Sequence, residues 1–176
     1  VLVTGAGTGI GRGVALEFAK AGAAVVLHYA HSEEGCRSAV DEIQNEGRKA
    51  EAFKADLGNI DDCRNLASKA TDFLGGIDVL VNNSGITMNK PFLEVTPEQF
   101  NTLYNVNIRG MFFLTQFTAP HMIDQGKGAV EVVGGADQRE MGECLGKVAE
   151  RFSDGPGFLR IQADMIGEAQ HALENQ

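Results

Sequence analysis

Five short apolar runs alternate with four amphipathic stretches over the first 133 residues, and this rhythm restricts the fold more than any other property of the chain. The runs are Val1 to Thr4, Ala24 to Tyr29, Ala50 to Lys54, Ile77 to Val81 and Ala129 to Val133. Between them lie Arg12 to Ala21, Ser32 to Glu46, Ile60 to Leu74 and the long Pro97 to Gln125. In the second stretch Cys36, Val40 and Ile43 recur at spacings of four and three, which builds one apolar stripe on a helix. Strands alternating with helices predict right-handed crossovers, and therefore a doubly wound α/β fold with a parallel sheet covered on both faces. At 176 residues, 43% hydrophobic and without a shift in composition, the chain reads as one domain over residues 1–176.

Charge and cysteine usage narrow the partners. A net charge of -9 with no block of Lys and Arg repels a phosphate backbone, so neither nucleic acid nor an anionic membrane is expected. No apolar stretch approaches the roughly eighteen residues of a membrane span, and no leader pattern precedes the fold, so a cytoplasmic location is expected. Cys36, Cys63 and Cys144 lie far apart with no C-x-x-C pair. That suits reduced thiols filling helix faces better than disulfides or zinc. His121 and His171 are too scattered to suggest a metal, and none is expected. The chain opens on Val1 inside a strand pattern with no initiator Met, and the true N-terminus is expected upstream.

The first thirteen residues, VLVTGAGTGIGRG, join a strand to a helix through glycines. At Gly5, Gly9 and Gly11 the backbone must turn tightly and let a phosphate approach with no Cβ in the way. The first amides of the following helix then face the anion with the helix dipole behind them. Taken alone, the segment also serves as a plain strand-to-helix loop. Its spacing is T-G-x-x-x-G-x-G rather than G-x-G-x-x-G.

This variant heads an ordered set: Thr4 to Gly11, then KADL with Asp56, then VLVNNSG with Asn82, Asn83, Ser84 and Gly85, then NVNIRG with Asn107. The set resembles the short-chain dehydrogenase/reductase family, and GGIDVLVNNSGI most resembles its 3-oxoacyl-carrier-protein reductase and glucose dehydrogenase branch. The likeness covers residues 1 to about 133, leaving 134–176 as a divergent tail. It implies a Rossmann-like sheet, truncated on its C-terminal side, with cofactor contacts at Gly5, Thr8, Gly9, Ile10 and Gly11. It further implies that Asp56 accepts a hydrogen bond from the adenine amino group beside a backbone contact at Leu57, unless Asp56 is only a cap or turn residue. Asn82 and Asn83 would line the crevice at the carboxyl end of the fourth strand, with Gly85 passing close to the ribose, unless they are a mere turn. The counterpart of Asn107 in the family distorts its helix and holds a water in a proton relay; a side chain capping its own backbone is the alternative. The helix around residues 97–125 would pair copies into a homo-oligomer.

Cofactor choice is read after the second strand, in LHYAHSEEG. An acid there holds the ribose 2′-hydroxyl of NAD, whereas a basic group favours the 2′-phosphate of NADP. Tyr29 stands in the acid's place, and His31 and Ser32 are donors, which favours NADP with NAD still possible. Glu33 and Glu34 oppose that choice. His31 as an ordinary exposed loop residue is the alternative.

The family's chemistry requires a Ser to polarise the carbonyl, a Tyr to transfer the proton, and a Lys four residues later to lower the Tyr pKa and anchor the ribose. In GAVEVVGGADQ the serine's place is taken by Gly134 or Gly135. The only tyrosines are Tyr29 and Tyr104, followed four residues later by Glu33 and Ile108. Four residues before Lys147 stands Glu143, a spacing that suits a solvent-facing ion pair. Glu131 is unusual in a parallel strand and calls for a partner or an edge position. Further on, Met141, Leu145, Val148 and Phe152 keep helical spacing, FLRIQA fits a sixth strand, and Asp164 fits the N-cap of a last helix. The N-x-x-x-P-G turn of the family is missing.

Two expectations follow. One is a short-chain-type oxidoreductase by descent, acting on a small carbonyl or alcohol with NADP or NAD, and impaired here because Ser, Tyr and Lys are missing. The other is a non-catalytic dinucleotide-binding or oligomer-partner module, or a truncated or misspliced product.

Overall fold

The computed structural model describes residues 1–133 and the backbone of residues 159–162. Its elements follow the predicted alternation. Strand β1 (Leu2–Val3) leads through the glycine turn to α1 (Gly9–Lys20), then come β2 (Val25–Tyr29), α2 (Glu33–Asn45), β3 (Ala50–Lys54), α3 (Ile60–Leu74) and β4 (Val79–Asn82). After a 3₁₀ turn at Phe92–Glu94 follow α4 (Pro97–Tyr104), a π-helical stretch (Asn105–Gly110), α5 (Met111–Asp124), β5 (Gly128–Val132) and β6 (Leu159–Gln162). The six strands form one sheet in the order β3-β2-β1-β4-β5-β6, every pair parallel.

Alternation along each strand sends side chains to two cores, as a sheet covered on both faces requires. Val3, Val25 and Leu27 pack with Ala15, Ala19, Val40 and Ile43 on the α1 and α2 side. Leu2, Val26 and Leu80 pack with Leu66, Ala70, Leu114 and Met122 on the α3 and α5 side. Cys36 and Cys63 are fully buried free thiols, one in each core, and burial pushes both up to about 11.

The differences from expectation are local. Helix α1 begins three residues before the predicted Arg12, so Gly9 and Gly11 belong to its first turn. The predicted continuous helix from Pro97 to Gln125 is broken in register by the π-helical stretch. Glu131 is half-buried in β5, which is no edge: it stands in register between Val81 of β4 and Gln162 of β6, and the residue is not without a partner. The sixth strand falls inside the predicted FLRIQA. The predicted helices around Met141 to Phe152 and after Asp164 lie outside the described residues, as do Cys144 and His171. Among the described residues no helix is long and apolar enough to cross a membrane, and no group of three or more His, Cys, Asp or Glu is placed to hold a metal.

Candidate functional site

The strand order reverses between β1 and β4, so a crevice opens outside their carboxyl ends, bordered by the glycine turn. Gly5 has φ of 63° and Gly9 has φ of 54°, a region that side-chain-bearing residues rarely adopt. Thr8 is the N-cap residue of α1 and makes no side-chain capping bond, and the first turn contains no acidic residue. The leading amides at Gly9, Ile10 and Gly11 therefore have no intrahelical acceptor. With the helix dipole behind them they suit an anion.

Two side chains shape this turn from within. The Thr4 hydroxyl accepts from the amides of Asn83 and Ser84, each at 2.9 Å, and donates to the Val81 carbonyl at 3.3 Å. The Asn83 side-chain amide donates to the carbonyls of Thr4 (2.9 Å) and Gly5 (3.1 Å). Gly11 packs against that amide, and a Cβ there would overlap Asn83 Nδ2 and Gly5 O. Asn82, the last residue of β4, is buried and turned inward, its Nδ2 donating to Thr115 Oγ1 at 3.1 Å. Its Oδ1 is buried without a hydrogen-bond partner among the described residues. Gly85 follows in the exposed loop.

His28 escaped the sequence reading, although a titratable ring in the run VVLHY was the signal. It is buried, and its Nδ1 accepts from the Gly5 amide at 3.2 Å while Nε2 lies 3.1 Å from the Ala55 carbonyl. Only the Nε2-protonated neutral ring satisfies both bonds. Ser84 Oγ lies 3.4 Å from the same Nδ1. Burial lowers the His28 pKa to about 4, against smaller opposing effects of the Ala55 bond and the Asp56 charge. The ring is neutral at physiological pH.

The other candidates surround the turn. Tyr29 is buried at the end of β2, in register with Lys54; His31 and Ser32 are exposed. Ser32 abuts the turn so closely that a Cβ on Gly7 would lie 2.5 Å from Ser32 Cβ. The Glu33 carboxylate pairs with Arg37 at 2.7 Å, which holds it below the usual carboxylate range. Asp56 is exposed and closes a turn by accepting from the Gly58 amide at 2.8 Å, while Asn59 is the N-cap of α3. Leu57 is buried beside it. Asp56 also borders a cavity of about 510 Å³ whose far wall includes Thr102, Val106 and Arg109.

Asn107 sits within the π-helical stretch, and both ends of its side chain reach Ile86, accepting from the amide and donating to the carbonyl at 2.8 Å each. It therefore pins the loop after β4 rather than capping its own backbone. Neither tyrosine joins it: Tyr29 ends β2, and Tyr104 is 46% exposed on α4, stacked on Phe100. Gly134, Gly135, Glu143 and Lys147 lie outside the described residues.

Residues 1–140 match the family described as short chain dehydrogenase. A hydroxynaphthalene reductase-like protein of Metarhizium brunneum is 42% identical over 126 residues, 72% of this chain and 47% of that protein. The chain thus spans about half the length of the curated relatives it matches. A short chain dehydrogenase from Burkholderia cenocepacia, solved in complex with NADP, superposes with a TM-score of 0.82 at 26% identity, over 94% of this chain and 75% of that one. A 7α-hydroxysteroid dehydrogenase complexed with NADH and 7-oxo glycochenodeoxycholic acid gives 0.72 at 36% identity, over 76% of this chain and 52% of that one.

Proposed function

The chain belongs to the short-chain dehydrogenase family, and from that premise we propose that it is an oxidoreductase-type dinucleotide holder that takes NADP in preference to NAD. One observation carries this reading. The amides that open α1 stand behind a glycine turn shaped by Thr4 and Asn83, with no acid in the first turn to repel a pyrophosphate. Gly5, Thr8, Gly9, Ile10 and Gly11 receive the pyrophosphate, and Asp56 with Leu57 the adenine. Tyr29, His31 and Ser32 face the 2′-phosphate. Asn82, Asn83 and Gly85 form the wall below the nicotinamide half. The NADP and NADH complexes of the two structural neighbours support both cofactors.

When bound, the dinucleotide supplies or accepts the hydride exchanged with a small carbonyl or alcohol. What this chain lacks is the proton shuttle, because no Tyr in its 176 residues is followed by Lys at the fourth position. Asn107 holds the wall of the site through Ile86 and transfers no proton by itself. Loss of general acid and base catalysis costs about 10² to 10⁴ in rate, so turnover is impaired.

A second role, pairing with another copy, is favoured by exposed aromatic rings on α4 and α5. Phe100 (57% exposed) and Tyr104 stack at 6.2 Å on α4, and Phe112 is 38% exposed on α5. Exposed rings of this kind suit a helix partner.

The test is equilibrium binding of NADPH and NADH, followed by turnover with ketones and oxoacyl thioesters. Saturable binding, tighter for NADPH, with turnover at least about 10²-fold below ordinary enzyme rates is expected. No binding at millimolar dinucleotide would overturn the reading, and turnover at ordinary enzyme rates of about 1 to 10³ per second would overturn its impaired part.

A further inference from the structure

Three segments that end separate strands meet on one buried ring. The Gly5 amide, in the turn after β1, donates to His28 Nδ1 at 3.2 Å. The Ala55 carbonyl, directly before Asp56 in the loop after β3, lies 3.1 Å from His28 Nε2. Ser84, in the loop after β4, places its hydroxyl 3.4 Å from Nδ1. The main chain of the same residue continues the pattern, since the His28 carbonyl accepts from the Ala6 amide at 2.9 Å. A rigid five-membered ring thus stands between the turn that faces a pyrophosphate and the loop that faces an adenine. Neither of its bonds goes to solvent, because the residue is only 1% exposed.

We propose that His28 is a positioning residue of the dinucleotide site, whose imidazole fixes the separation between the pyrophosphate turn at Gly5 and Ala6 and the adenine wall at Ala55 to Leu57. The inference rests on the dinucleotide reading above and adds to it the element that links two half-sites. A ligand spanning both half-sites gains from their fixed spacing as any bivalent ligand does, and it loses that gain when the spacing drifts. A ligand that occupies one half-site is indifferent to the spacing. The orientation of the ring is itself part of the device: the reverse tautomer would set an N–H against the Gly5 N–H and a lone pair against the Ala55 oxygen.

The experiment compares ADP-ribose, which spans both half-sites, with adenosine and inorganic pyrophosphate, which occupy one each. All three are titrated into the full chain and into two variants. His28→Gln keeps a donor for the Ala55 carbonyl and removes the ring acceptor facing Gly5. His28→Asn keeps a short acceptor near Gly5 and withdraws the donor from Ala55. In both variants ADP-ribose affinity falls at least about tenfold, while adenosine and pyrophosphate each change by less than about twofold. Equal losses for all three ligands would show a general structural role and overturn the proposal, as would unchanged ADP-ribose binding. Should neither variant fold, nitrogen NMR of the unaltered protein decides. Protonated Nε2 with unprotonated Nδ1, and an Nδ1 resonance that moves together with the Gly5 amide on adding ADP-ribose, support the proposal. The opposite tautomer, or a ring indifferent to ADP-ribose, overturns it. If the unaltered protein binds adenosine and pyrophosphate but not ADP-ribose, this inference falls alone; if it binds none of them, the dinucleotide reading falls as well.

Discussion

Gly11 lies directly against the side-chain amide of Asn83, where a Cβ would overlap Nδ2 and the Gly5 carbonyl oxygen. The side chain that keeps the turn open therefore needs the bare backbone of α1 to fit. Gly11→Ala pushes the amide off Thr4 and Gly5 and reduces dinucleotide affinity by at least about tenfold, with a loss of stability of about 1–3 kcal/mol, the usual range for overpacking. In Gly11→Ala/Asn83→Ala the overlap with Nδ2 is gone while that with the Gly5 oxygen remains, so stability recovers only in part relative to the sum of the single changes and affinity does not recover. Thermal unfolding and NADPH titration of the four proteins measure this coupling. Strict additivity in stability would show that the two residues do not meet.

This contact also marks how far the sequence was informative. The strand and helix rhythm was legible because strands buried on both faces read as continuous apolar runs, and β3 and α3 fall on their predicted bounds. The start of α1 was not, since Gly9 and Gly11 are poor helix formers whose place is set by the turn. The π-helical stretch around Asn107 was invisible to a pattern of period 3.6, although the resemblance implied a distortion there. The role of His28 was hidden for a different reason. Its partners are backbone atoms 23 and 27 residues away, and backbone atoms leave no mark in a sequence.

His28 makes stability depend on pH with a definite sign. The folded-state pKa of about 4 lies below the usual 6.5, so the unfolded chain binds the proton more readily. The stabilisation is complete above pH 6.5 and is lost as pH falls toward 4. A difference of this size corresponds to about 3 kcal/mol over that window, as an order of magnitude. Urea midpoints taken from pH 7.5 to 4 should fall more steeply for the unaltered protein than for His28→Asn. Parallel curves would show that the ring is not buried as a neutral base.

Asn107 tests whether the loop after β4 is held from the π-helical stretch. Removing both bonds to Ile86 in Asn107→Ala costs about 1–3 kcal/mol at about 0.5–1.5 kcal/mol per hydrogen bond. Cleavage of the segment between Ser84 and Phe92 by a nonspecific protease becomes faster. In Asn107→Asp the acceptor for the Ile86 amide remains, but an ionised oxygen faces the Ile86 carbonyl. That variant is weaker than Asn107→Ala at pH 7 and recovers as pH falls toward 4, where the carboxyl protonates and can donate. Equal protease rates in all three proteins would show that the loop is held elsewhere.

On the proposed placement of the 2′-phosphate, cofactor preference turns on the pair that begins one residue beyond Ser32. Glu33 would repel a 2′-phosphate, but Arg37 binds it at 2.7 Å across one helical turn and holds its carboxyl below the usual range. The two charges largely cancel at the point where Ser32 touches the glycine turn, and this leaves the donors of His31 and Ser32 to decide. In Glu33→Gln the guanidinium is released and the local potential becomes positive, so the ratio of NADPH to NADH affinity rises severalfold at low salt. Arg37→Ala uncovers the carboxylate and lowers the same ratio. Both groups are exposed, so both effects shrink as ionic strength approaches 1 M, where screening acts over about 3 Å. Ratios unaffected by either substitution would place the 2′-phosphate away from the start of α2 and remove the electrostatic reason for preferring NADP.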